Sequence, residues 1–140
     1  MTKGSKLYSI ITFKCPHCHE GKFFVDQPYN LSRSGETLEK CPLCRQNYSP
    51  EPGFYFGAMY VSYALGVALF VTIWASCNWF FDDVSVWLQI GLVVGASIFL
   101  GPLFNATSKI IWANFFIHFD KNAKDVGKEE THSEHLGNVL

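Results

Sequence analysis

Two short stretches, Lys14-Cys15-Pro16-His17-Cys18 and Lys40-Cys41-Pro42-Leu43-Cys44, each set two thiols three positions apart around a proline. Such a pair supports two chemistries. A histidine inside the pair, as at Cys15-Pro16-His17-Cys18, lowers a thiol pKa and makes an oxidising dithiol. Two pairs brought together make a tetrahedral metal site instead. The first stretch alone admits both readings.

The second stretch separates them. The pattern is C-x-x-C, 22 intervening residues (19 to 40), then C-x-x-C, which describes a four-cysteine zinc site close to the ribbon spacing. A dithiol oxidoreductase needs one such motif at a helix start in a βαβ unit, and the segment before residue 53 has no room for that fold. About 50 residues with few aliphatics cannot build a sufficient core, and zinc would supply the missing folding free energy. Cys15, Cys18, Cys41 and Cys44 are therefore the expected ligands of Zn2+. Gly21 and Asn47 stand at equivalent offsets and are expected to take a left-handed backbone conformation in the two knuckles. His17 and His19 compete for coordination, but with four cysteines in register they are expected to face solvent. Four thiolates leave about two negative charges on the site, which Lys14 and Lys40 are placed to soften.

These ligands must be positioned by a small head beside a membrane. The chain has 140 residues and a net charge of −1, but no charged residue occurs from Gly53 to Phe81 or from Val84 to Ser108. Each run of roughly 25 residues exceeds the roughly 30 Å hydrocarbon core when helical, so spans are expected at about 57–81 and 84–107. Asp82 and Asp83 form a tight link between them, flanked by Trp79, Phe80, Phe81 and Trp87, which suit an aromatic belt. Lys3, Lys6, Lys14, Lys22, Arg33, Lys40 and Arg45 precede the first span, Lys109, Lys121, Lys124 and Lys128 follow the second, and the link has none. The positive-inside rule then places both termini in the cytoplasm. No cleavable signal is expected, since the first long apolar run starts some fifty residues in.

The expected fold is a small N-terminal zinc ribbon of short antiparallel β-strands (1–52), an all-α two-helix transmembrane hairpin with a juxtamembrane helix at about 109–120 (53–120), and a polar, disordered tail (121–140). Leu7 to Phe13 reads as a strand entering the first knuckle. Between the knuckles, Phe23, Phe24, Val25, Tyr29 and Leu38 would pack beside the metal. Pro50, Pro52 and Gly53 break the backbone before the membrane, and Tyr55, Tyr60 and Tyr63, with Glu51, read as interfacial belt or partner surface. Gly91 and Gly95 form a G-x-x-x-G that serves either hairpin packing, with Ala64 and Ala68, or a homo-oligomer. Gly101-Pro102 should kink the second span. Trp112, Phe115, Phe116 and Phe119 are expected interfacial anchors, Cys77 packs, and His118, His132 and His135 are isolated.

No Asp, Glu, Lys, Arg or His lies inside the spans, which argues against a pump; Asn78, Gln89 and Asn105 are the polar groups that could line an oligomeric channel or carrier. The head's seven Lys and Arg against Glu20, Asp26, Glu36, Glu39 and Glu51 give too little excess for nucleic acid. No phosphate loop, metalloprotease helix or nucleophile elbow occurs.

With both knuckles, EPGFYFGAMYVSYAL, GPLFNATSKIIW and the HFD end in view, the chain resembles, from about Lys14 to Asp120, the bacterial family called domain of unknown function 983. His19 and Arg45 depart from that pattern, where glycine often follows the second cysteine. The resemblance implies a multi-pass protein of the bacterial inner membrane with a cytoplasmic zinc ribbon. In some bacteria members of that family lie near genes for terminal-oxidase assembly, which implies a role in building a membrane complex. The expected function is a non-catalytic interaction or assembly module whose partners are the bilayer and another membrane protein. The alternatives are a membrane-tethered thiol-disulfide oxidoreductase using Cys15 and Cys18, and the channel or carrier.

Overall fold

The computed structural model describes residues 4–30 and 32–137, except the side chains at 126, 130, 131, 134 and 135. Lys3 and the side chains of Glu130, Glu134 and His135 thus lie outside the described residues. Four helices follow in order: α1 (Lys6–Thr12), α2 (Phe56–Phe80), α3 (Val86–Phe116) and α4 (Ala123–Gly137).

α2 and α3 are each long and apolar enough to cross a membrane, and in the most apolar 18 residues of each almost no residue is buried. A pair of helices with apolar residues on every side has no solvated face, which is the pattern of lipid-facing rather than water-facing helices. α3 is longer than the expected span. It continues through Lys109 to Phe116, so the stretch expected as a juxtamembrane helix is, over residues 109–116, the second helix itself continuing, and Ile117 follows it in an extended conformation. Helical conformation also persists through Pro102.

Three polar residues within these helices are satisfied by their own backbone. Thr72 Oγ1 donates to the Ala68 carbonyl, Asn78 Nδ2 to Trp74 and Ser97 Oγ to Val93, each at 2.7 Å. Such bonds to the carbonyl four residues back remove the polar group from competition for partners. Gln89 and Asn105 lie 16 residues apart on α3 (105 − 89), about 24 Å along the axis, and Asn78 is near the opposite end of the pair from Asn105. The three candidate channel residues are therefore not brought together within one chain.

Of the two roles open to Gly91 and Gly95, hairpin packing falls to another glycine. A Cβ at Gly91 or Gly95 would meet nothing within 4 Å, so the pair takes no part in packing the hairpin; a Cβ at Gly57 would lie 2.0 Å from Trp112 Cζ2. Gly57 lets the indole close against α2, and Trp112 Nε1 donates to the Phe54 carbonyl at 2.8 Å. Gly57→Ala should lower the detergent unfolding transition despite its better helix propensity, by about 1–3 kcal/mol from overpacking. Gly91→Ala and Gly95→Ala should leave it unchanged or raise it, and equal effects at all three sites would refute this packing.

The head differs most from expectation. Leu7–Phe13 is not a strand: Lys6–Thr12 is helix α1, ended by Phe13 at φ 52. Helical spacing turns Ser9 onto Asn114 of α3, whose Nδ2 donates to Ser9 Oγ at 3.3 Å, while Ser9 Oγ donates to the Lys14 carbonyl at 2.7 Å. The ribbon strands are likewise reduced, among the described residues, to isolated antiparallel bridges at Lys14 with Lys22, Phe24 with Thr37 and Lys40 with Asn47.

The core runs across the expected domain boundary. Phe23, Tyr48 and the four cysteines form one buried cluster with Ala106, Ile110 and Ala113 of α3, Ile117 just after it and Ala123 of α4. Phe23 and Tyr48 are fully buried with ring centroids 4.6 Å apart, each burial contributing about 1.5–3 kcal/mol. Tyr48 is held by its hydroxyl, which donates to the Lys22 carbonyl at 2.9 Å, and Tyr55 donates likewise to the Tyr48 carbonyl. The proline-rich joint is thereby fastened to the head.

Candidate metal centre

Each knuckle is a tight turn closed by its own backbone. Cys15 N–H donates to the Gly21 carbonyl at 2.8 Å and His19 N–H to Cys15 at 2.9 Å; Cys41 N–H donates to Gln46 at 2.9 Å and Arg45 N–H to Cys41 at 3.0 Å. The first knuckle is one residue longer. Gly21 thus corresponds to Gln46, and Lys22 to Asn47, rather than Gly21 to Asn47. The left-handed conformation falls elsewhere too, on His19 (φ 58) and Arg45 (φ 59), each directly after a second cysteine. Those are the positions where glycine would be the unstrained residue.

Gly21 is required for a different reason. A Cβ there would lie 2.2 Å from Cys41 Sγ and 3.6 Å from Cys18 Sγ, so the opposite knuckle closes into the space of the missing side chain.

The four sulfurs, all on buried residues, converge within 4.8 Å of one another. Two pairs, Cys15 with Cys44 and Cys18 with Cys41, each stand 3.7 Å apart. A tetrahedron with metal–sulfur bonds of about 2.3 Å has edges of about 3.8 Å, so this cage fits a metal ion held by four thiolates. No disulfide joins them. The Cys15 thiol holds Cys41 and Cys18 below the usual range by hydrogen bonding, Cys18 at about 6, while Cys18 raises Cys15 and Cys15 raises Cys44. Without a cation the four sulfurs resist ionising together, which is the demand a bound metal meets.

Backbone amides also face the sulfurs. His17 N–H points at Cys15 Sγ and Gly21 N–H at Cys18 Sγ, both at 3.4 Å. Among the described residues no hydrogen bond from the Lys14 or Lys40 ammonium reaches a sulfur; their backbones form the bridges instead. Neither histidine joins the cage. His19 is buried rather than solvent-facing: its Nδ1 accepts from Gly4 N–H at 3.2 Å, and its ring lies 4.3 Å from that of Phe119. Burial lowers its pKa, favouring the neutral ring.

Where a polar, disordered tail was expected, Ala123–Gly137 forms helix α4, which packs on the second knuckle. Asp120 N–H donates to the His17 carbonyl at 3.0 Å, Lys124 pairs with Glu20, and Ala123 and Gly127 are buried one turn apart on α4. A Cβ at Gly127 would lie 2.6 Å from the Leu43 carbonyl and 2.9 Å from Cys44 Cα. The A-x-x-x-G spacing was the available signal in the sequence for this close approach. Gly127→Val should lift α4 and speed metal transfer to a chromogenic chelator several-fold, and unchanged transfer would show that α4 does not shield the site.

Comparison with family models, curated proteins and solved structures yields no match for this chain.

Proposed function

We propose that the chain is a membrane-anchored zinc protein, with Zn2+ held by Cys15, Cys18, Cys41 and Cys44, that serves as an interaction or assembly module for a membrane complex and performs no catalysis. The observation that carries this reading is the continuity of the metal head with the end of α3. One core contains Cys15, Cys41, Ile110 and Ala113, so the head is held rigidly at a membrane surface rather than tethered. A buried four-sulfur cage has no open coordination position, which suits a structural rather than a hydrolytic ion.

Zinc is favoured over softer or redox-active ions by the paired C-x-x-C spacing. The basic residues on the head side of α2 and α3 favour cytoplasmic termini, and the resemblance to the domain of unknown function 983 family favours the bacterial inner membrane. The same resemblance supports a role in assembling a respiratory complex.

Two measurements test this. Protein purified in detergent without reductant should carry one zinc per chain, with those four thiols protected from alkylation. Crosslinking in intact membranes followed by capture should recover a specific membrane protein with the wild type and lose it with Cys41→Ser. A zinc-free protein with a Cys15–Cys18 disulfide, or capture indifferent to Cys41→Ser, would overturn the proposal.

A further inference from the structure

We infer that the groove between the head-side ends of α2 and α3 is a binding site for the phosphate group of a phospholipid. The inference rests on the proposal that both helices cross a bilayer. The groove has a volume of about 310 Å³ and is lined by Met59, Ser62 and Tyr63 from α2, by Asn105, Ser108 and Lys109 from α3, and by Tyr55.

Its depth matches a headgroup. Counted from Val86, Lys109 is 23 residues along α3 and Asn105 is 19, about 35 Å and 29 Å. Counted from Phe80, Ser62 is 18 residues along α2, about 27 Å. With a hydrocarbon core of about 30 Å, Lys109 stands at phosphate level and Ser62, Tyr63 and Asn105 at the level of the acyl esters.

Three of its polar side chains are left free, while the Ser108 hydroxyl donates to the Asn105 carbonyl and the Tyr55 hydroxyl to the Tyr48 carbonyl. Thr72, Asn78 and Ser97 deeper in the helices bond their own backbone, whereas Ser62, Tyr63 and the Asn105 amide make no hydrogen bond among the described residues. Ser62 has the same back-bond to residue 58 within reach and does not take it.

Its charge is singular. Lys109 is the sole Lys or Arg in residues 46–120. An anchoring lysine at a helix end would extend its ammonium to water. This one is part-buried over the Tyr55 ring at 5.7 Å and donates to the Gly35 carbonyl at 2.7 Å. An ammonium has three protons to donate, so two remain for an anionic oxygen. Gly35, at φ 73, packs on the Asn105 side chain, and Tyr29 of the same loop lies 6.0 Å from Phe99, so the loop between the knuckles is laid along this stretch of α3. Glu36 is the acidic side chain near enough to act on Lys109. Basic pockets between transmembrane helices suit anionic headgroups on these grounds.

The test uses the zinc-loaded full chain in mild detergent, titrated with dioleoylphosphatidylglycerol or dioleoylphosphatidylcholine and read by native mass spectrometry. Phosphatidylglycerol should be retained in preference. Lys109→Gln should weaken its retention about tenfold, the effect of losing a charge-assisted hydrogen bond, while Lys128→Gln leaves it unchanged. Glu36→Gln removes an opposing charge without touching the Gly35 contact, and should strengthen retention. Equal retention of both lipids, or indifference to both substitutions, would overturn the site. Displacement of the lipid by millimolar inorganic phosphate would assign the groove to a soluble phosphate compound and overturn the lipid. Extraction of the protein from membranes by alkaline carbonate would instead refute the spanning helices on which the inference stands.

Discussion

Stripping the metal with a strong chelator should unfold the head and release the elements docked on it, while leaving α2 and α3 helical in detergent. The knuckles have only isolated bridges of their own, and their core is a handful of side chains around the sulfurs. Structural zinc in small domains contributes on the order of 10–16 kcal/mol, more than such a core supplies. The loss should propagate, because Asp120 bonds His17, Gly4 bonds His19 and Gly127 lies on Cys44. Hydrogen exchange should show the amides of Cys15, Cys41 and Tyr48 losing protection together with those of α1 and α4. Circular dichroism should fall by no more than those two short helices contain. An apo protein with native exchange at Tyr48 would show that packing against α3 alone holds the head, and would remove the metal from the folding argument.

Gly21→Ala should come close to the same result from a single methyl group. That carbon would sit 2.2 Å from Cys41 Sγ and 3.6 Å from Cys15 Cβ, hard against one sulfur of the cage. Neither neighbour is the free end of a flexible side chain. The knuckles must move apart, breaking the Gly21 N–H contact with Cys18 and the 3.7 Å pairing of Cys18 with Cys41. A drop in zinc affinity of at least about a hundredfold, roughly 3 kcal/mol, is expected from competition with a chelator of known affinity. Gly66→Ala, where a Cβ meets nothing within 4 Å, is the control. Wild-type affinity in Gly21→Ala would mean that the knuckles do not approach as closely as described.

The site itself was legible in the chain, because a C-x-x-C turn is a local object. Three residues of fixed geometry bring two sulfurs to one side, and the repeat of Cys-Pro-x-Cys signals that the two sides must meet. The long apolar helices were legible for a similar reason, since absence of charge over a fixed length needs no knowledge of neighbours. Finer details inside the knuckle failed. The offsets of Gly21 and Asn47 looked equal, but the first turn carries one residue more, and a count from the cysteines cannot show where an insertion is absorbed.

Secondary structure at both ends was misread for want of a partner. Leu7–Phe13 is short and apolar enough to read as a strand, and the sequence does not show that Asn114 of α3 stands opposite Ser9 on the helix. Ala123–Gly137 is polar enough to be left in solvent, and only the bare backbone of Leu43 and Cys44 gives its small residues something to cover.

What the sequence by itself determined is therefore the four sulfurs, their pairing into knuckles, and two helices of membrane-crossing length, all set by short-range spacing and composition. What the tertiary structure alone decided is what completes the head's small core. It takes Ala106, Ile110 and Ala113 from α3 and Ile117 just beyond it and is closed by α4, and burial of that kind depends on which surfaces meet across some seventy to a hundred positions of sequence.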